Sequence, residues 1–176
     1  MVGSYKNQKD FQLVLGVDPG TTTTGYAIAK IGYNSGKIVK GGVIETKANV
    51  KLGEKLLKIY KEVKKILSLY RPHLVGIESL FFFKNKKTAI EVSQARGVVF
   101  LAVYQQKIPV IEVTPLEVKT AICGFGRATK YQVGKMVQTL FYEEKPFKPD
   151  DYADAVAIAW AAVQKFNNFR NTEGMI

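Results

Sequence analysis

Cysteine is nearly absent from this 176-residue chain: Cys123 stands alone. That excludes an internal disulfide framework and a cysteine-based zinc cluster. Histidine is equally scarce. His73 is the single one, it follows Arg71-Pro72 in a turn, and it reads as a loop residue, so a metal would have to be held by oxygen ligands. Acidic residues are also few, with 15 Asp+Glu against 26 Lys+Arg and a formal charge of +11. This balance bears on partners rather than on fold, and the expected partner is anionic, most often nucleic acid; a basic protein that is simply soluble is the plainer alternative. Apolar runs are too short or too interrupted to span a bilayer. The first ten residues are polar and lack the apolar run of a secretory leader. A reducing cytoplasm is the expected compartment. No internal repeat or low-complexity segment occurs.

What is present reads as a single α/β domain. The apolar content of 47% and charged content of 23% are those of a globular protein. The expected layout is a flexible arm at residues 1–10, one domain at 11–166 and a flexible tail at 167–176. The run Leu13-Val14-Leu15-Gly16-Val17 has the length and β-branching of a buried strand. It ends on Asp18, immediately before the turn signal Pro19-Gly20. An acid there is either a ligand-binding group or an ordinary turn former. Residues 25–31 and 37–46 read as two further strands around an Asn34-Ser35-Gly36 turn, with antiparallel pairing of all three. Apolar residues at spacings of three and four over 52–70 predict a long amphipathic helix, its lysines forming a solvated face. Leu74-Val75-Gly76-Ile77 then repeats the opening pattern, a core strand ending on an acid, Glu78.

Beyond Glu78, Phe81, Phe82 and Phe83 lie beside Lys84, Asn85, Lys86 and Lys87. Aromatics among basic groups suit base stacking with phosphate contact; a hydrophobic latch against the domain is the competing reading. Residues 88–106 predict a helix apolar on most sides, either buried or shared with a partner. Residues 109–113 are a further strand. Thr114-Pro115-Leu116-Glu117 and Thr129-Lys130-Tyr131-Gln132 are two capping boxes, the first helix stopping at Gly124. The exposed start of the second, with Arg127 and Lys130 beside it, is a sound place for phosphate. Asp150 is the expected N-cap of a last helix from 151 to about 165. Asp151 and Asp154 share one face of its first turn, where acids also simply favour the helix dipole.

Two strand-end and two helix-face carboxylates need a joint explanation. If Asp18, Glu78, Asp151 and Asp154 converge, one close pair costs roughly 4 kcal/mol at an effective dielectric near 20. Divalent cations relieve that, and all-oxygen ligands suit Mg²⁺ or Mn²⁺. A basic protein with an acidic, metal-binding pocket has the charge layout of a nuclease.

These residues resemble the RuvC family of bacterial Holliday junction resolvases, within the RNase H-like superfamily. The resemblance spans about residues 13–163. It is carried by Gly16-Val17-Asp18-Pro19-Gly20 with Thr24-Gly25; Ile77-Glu78 followed by Phe81 and Lys84-Asn85; Gln94-Ala95-Arg96-Gly97; Val118-Lys119-Thr120; residues 124–130; and Asp151-Tyr152-Ala153-Asp154-Ala155. It implies an α/β RNase H-like fold, a five-stranded mixed sheet with its first three strands antiparallel, flanked by helices. It implies that Asp18, Glu78, Asp151 and Asp154 are the metal-binding catalytic acids, the position of Asp151 being the least fixed in the family. Lys119 and Lys130 match lysines needed for cleavage, and Phe81 matches the aromatic that stacks at the junction centre. Phe82, Lys84, Asn85, Arg96 and Arg127 join them as expected DNA contacts.

Also implied are two Mg²⁺ per site, with Mn²⁺ able to substitute, and a homodimer with the helix over 89–105 near its two-fold. Two strands of like polarity would be nicked symmetrically, leaving 5′-phosphates, and the implied partner is the RuvAB branch-migration machinery. An Asp-x-Gly-Thr-Thr-type turn also resembles the phosphate hairpin of actin-like ATPases and sugar kinases. Those need two lobes, and this chain has strands enough for one sheet and no second copy of the hairpin.

Overall fold

The computed structural model describes residues 12–47, 49–79 and 86–173. In chain order its elements are β1 (Gln12–Asp18), β2 (Thr23–Ile31), β3 (Gly36–Glu45), α1 (Leu52–Tyr70), β4 (Leu74–Glu78), α2 (Lys86–Tyr104), β5 (Val110–Val113), α3 (Pro115–Cys123), α4 (Lys130–Phe141) and α5 (Asp150–Glu173). The strands form one mixed sheet in the order β3-β2-β1-β4-β5. β1, β2 and β3 pair antiparallel, while β4 lies parallel to β1 and β5 parallel to β4. The expected architecture is the observed one.

Strand alternation divides the core in two. Val14, Ala27, Ala29, Ile31 and Leu74 point toward α5 with α3 and α4 behind it. Leu15, Val17, Ile28, Val75 and Ile77 point the other way, toward α1 and α2. α1 buries Ile59, Val63, Ile66 and Leu67, and ends with Arg71 in the left-handed region at φ 46°, its N–H donating to the Leu67 carbonyl, before a proline that does not continue the helix.

α5 is the central helix. Every residue from Ala155 to Val163 is buried, because the sheet covers one side and α3 and α4 cover the other. The Trp160 indole donates to the Ala121 carbonyl at 3.3 Å and meets the Phe141 ring edge-on at 5.9 Å. The sheet beneath is shaved flat by glycine. A Cβ on Gly16 of β1 would run into the Ala155 carbonyl, one on Gly25 of β2 into the Asp151 carbonyl, and one on Gly76 of β4 into the Ala162 methyl. With so many alanines on the helix and glycines under it, α5 approaches more closely than branched side chains allow.

Strand ends shift by one or two residues from expectation, and the larger differences are in two helices. α2 starts at Lys86 and ends at Tyr104, two residues earlier than expected at each end. Asp150, expected as a cap, already belongs to the helix. α5 also runs on to Glu173, well past 165 and into the segment expected to be a tail. Long-range contacts hold the extension: Lys165 Nζ reaches Glu117 at 2.7 Å and the Glu112 carbonyl at 2.9 Å, and Gln12 reaches Asn167 at 3.4 Å. None of these partners is near in sequence.

Gly16→Ala tests the close approach of α5. It should destabilise the fold by about 1–3 kcal/mol, the usual cost of overpacking, read as a lower urea midpoint with an unchanged slope.

Candidate active site

The two strand-end acids are neighbours by register. Val17 pairs with Ile77 across the parallel β1/β4 ladder, so Asp18 and Glu78 leave the sheet side by side as the next residue of each strand. Alternation places both on the face that carries α5. Opposite Asp18 in the antiparallel ladder is Gly25, the residue whose missing Cβ admits the Asp151 carbonyl. The start of α5 therefore rests on the Asp18–Gly25 pair and brings Asp151, with Asp154 three residues on, to the same edge. A helix start is also where carboxylates gain from the macrodipole.

The electrostatics record this convergence. Burial, then the fields of Glu78, Asp154 and Asp151, push the Asp18 pKa up to about 7 against the opposing Lys130 ammonium. Glu78 is raised by burial and Asp154, again opposed by Lys130. Asp154 is raised by burial, with Lys130 pulling the other way and Asp150 and Asp151 adding to the rise. Lys130 lies 3.2 Å from carboxylate oxygens of both Asp154 and Asp150. Burial lowers its pKa, but these two acids outweigh it and hold the ammonium charged. Lys130 is thus a cation ion-paired within the acid cluster.

The donor set is hard oxygen throughout, and each acid is destabilised by the next, a state that a divalent cation resolves. Among the described residues no three carboxylate, histidine or cysteine side chains are close enough to form a ready-made cage. The acids are within reach of one another's fields, and Lys130 is paired with Asp154. The chemistry of the set fits Mg²⁺ or Mn²⁺.

Two capped helices bring the lysines in. Thr114 accepts from the Glu117 N–H and caps α3, with Pro115 at its first position; Thr129 caps α4 in the same way through Gln132. Lys119 and Lys130 then line one cleft of about 280 Å³ together with Glu78 and Asp154. Arg127 is exposed in the turn between the two helices. Phe81, Phe82, Phe83, Lys84 and Asn85 lie outside the described residues.

Arg96, expected as a DNA contact, has partners within the chain: its Nε donates to the Glu78 carbonyl at 3.2 Å, its guanidinium pairs with Glu112 and it stacks on Phe100 at 4.6 Å. In this structure it braces the end of β4 from α2. A second brace from the same helix is Glu91, which accepts from the Thr21 hydroxyl at 3.4 Å in the turn after Asp18. Neither Glu91 nor Glu112 was singled out from sequence. Their partners are brought in by the fold from 70 and 16 residues away, and no local pattern marks them.

An RNase H-like fold is defined by these features: a mixed five-stranded sheet whose two adjacent parallel strands end in acids beneath a C-terminal helix that adds more. Comparison with known proteins narrows the class. A family model described as "Crossover junction endodeoxyribonuclease RuvC" matches residues 14–162. Curated proteins of that description from Caldicellulosiruptor saccharolyticus and Pelotomaculum thermopropionicum are 48% and 46% identical over 147 residues each, covering 83% and 84% of this chain and 89% and 90% of theirs. A structure described as Thermus thermophilus RuvC in complex with Holliday junction substrate superposes with a TM-score of 0.78 at 29% identity, over 85% of this chain and 91% of that one. The chain belongs to the RuvC family of crossover junction endodeoxyribonucleases.

The raised Asp18 pKa has a consequence for stability. Between 3.8 and about 7, the folded protein keeps a proton that the unfolded chain has released, so stability falls as pH rises through that window. Asp18→Asn should therefore raise the melting temperature of the metal-free protein at about pH 8 and change it little near pH 4. Thermal melts in EDTA at the two pH values read the difference.

Proposed function

We propose that this chain is a structure-selective endodeoxyribonuclease that resolves Holliday junctions by hydrolysing phosphodiesters in two strands of like polarity, in DNA recombination and repair. The observation that carries this reading is the meeting of Asp18, Glu78, Asp151 and Asp154 at one sheet edge, with Lys119 and Lys130 beside them, in a RuvC-family chain of charge +11. The four carboxylates would hold two Mg²⁺ ions, or Mn²⁺ in their place. Such ions, when bound, supply water activation and stabilisation of the leaving oxygen.

The chain's own residues do the rest. Lys119, on the wall of the cleft, receives a non-bridging oxygen of the scissile phosphate. Lys130 exchanges Asp154 for the phosphate as the substrate enters, so the lysine that offsets part of the acids' charge becomes a phosphate contact. The buried strand ends restrict bulk water around the acids, which strengthens each of these charge interactions. Hydrolysis leaves a 5′-phosphate and a 3′-hydroxyl. Residues 81–85, which follow the Glu78 strand end in sequence, are the proposed base-stacking and junction-contacting segment, and Arg127 is a further proposed contact.

Paired nicking calls for two sites. The outward face of α2 carries Ile90, Leu101 and Tyr104, respectively 61%, 55% and 66% exposed, with open space around Gly97. An apolar face of this kind suits a two-fold dimer. RuvAB is the proposed branch-migration partner and the cytoplasm the proposed compartment; among the described residues no helix is long and apolar enough to cross a membrane. The actin-like ATPase alternative finds no support, since the described strands form one sheet.

Asp18→Asn should retain four-way junction binding in a gel-shift assay and lose cleavage, since it removes a metal ligand and not a phosphate contact. A mutant that still cuts in Mg²⁺ would sink the assignment. Lys130→Ala should slow single-turnover cleavage by about tenfold or more, of the order of one lost charge-assisted contact, while weakening binding less; equal losses in both would limit Lys130 to docking. Sedimentation should give a dimer at micromolar concentration, and a monomer would contradict the role given to α2.

A further inference from the structure

Lys130 and Asp154 stand between two depressions. One is the cleft shared with Glu78 and Lys119. The other is a groove of about 340 Å³ between α4, the 146–149 segment and the start of α5. Its floor is apolar, built on the buried side chains of Val137 and Phe147. Tyr131 stands at its edge, 74% exposed, with Lys135 one turn further along α4 and 6.0 Å from the Tyr131 ring centre. Lys148 lines it from the connecting segment. Neither Lys135 nor Lys148 forms an ion pair with a described residue.

We propose that this groove is a nucleotide subsite, which takes one unstacked nucleotide of the cut strand next to the scissile phosphate. The inference rests on the nuclease reading above and extends it. A strand whose phosphate lies at the acids and Lys119 passes over Lys130 and meets the groove mouth next. There an apolar floor and an exposed tyrosine offer a face for a base, and base–aromatic stacking tolerates any of the four bases. Lys135 and Lys148 stand where the flanking phosphates would run, and lysines grip phosphate without reading sequence. An apolar small molecule would leave both lysines without a role, whereas a nucleotide uses floor, ring and cations together. Holding a neighbouring nucleotide out of the duplex fixes the phosphate's approach to the acids and favours a junction, whose strands are easily unstacked at the crossover, over a continuous duplex.

Gly134 provides the test. It lines the groove, and a Cβ placed on it meets nothing within 4 Å, so Gly134→Leu fills the groove without a clash at Cβ. Single-turnover cleavage of a four-way junction should fall by about tenfold or more, the loss of one base stack, with the melting temperature maintained. Tyr131→Ala should fall in the same direction. Wild-type enzyme should suffer a similar loss on junctions carrying an abasic site at one position within three nucleotides of the cut, and at that position Gly134→Leu should add no further loss. Wild-type rates for both variants, no sensitive abasic position, or losses that multiply at every position would overturn the subsite while leaving the nuclease reading intact. A wild-type protein that cuts no junction would overturn the nuclease reading itself.

Discussion

The structure depends on how closely α5 can lie against the sheet. Gly16, Gly25 and Gly76 remove the Cβ atoms that would hold the helix away, and the helix answers with a run of alanines. Close packing of this sort gains dispersion energy over a long contact, and it sets a distance as well. Only with the Asp151 carbonyl seated on Gly25 do Asp151 and Asp154 come to the ends of β1 and β4. Core packing and the geometry of the acid cluster are one constraint here: a methyl group in the floor disturbs both.

The site that results is held under electrostatic tension. Three of its acids are raised above their ordinary pKa values, Asp18 to about 7, and Lys130 lies between Asp154 and Asp150. Without cations, such a cluster costs stability; with cations and a phosphate present, the same charges have partners. Lys130 is the internal counter-ion seen here, and the proposed function makes the same ammonium a phosphate ligand. α2 adds a mechanical connection. Glu91 reaches the turn after Asp18 and Arg96 reaches the Glu78 carbonyl, so the helix that follows residues 80–85 touches both strand ends that carry the acids.

Much of this was legible from sequence because it is local. Strand runs ending on an acid, the Arg71-Pro72 stop and the two capping boxes at Thr114 and Thr129 are written in consecutive residues, and each was found where expected. The meeting of Asp18 with Glu78 could be anticipated once both were seen to close core strands. The rest is non-local. The reach of α5 to Glu173 depends on Lys165 finding Glu117 and Glu112, and the inward turn of Arg96 depends on β4 and β5 lying beneath α2. The α4–α5 groove was invisible for the same reason, since its lysines and its tyrosine are unremarkable on any single helix.

The most direct measurement is cleavage of a synthetic four-way junction beside a linear duplex of the same sequence, with and without Mg²⁺. The account predicts paired, symmetric nicks in the junction, dependent on the divalent ion, with the duplex left intact. Equal cutting of the duplex, or cutting of the junction in EDTA, would contradict it.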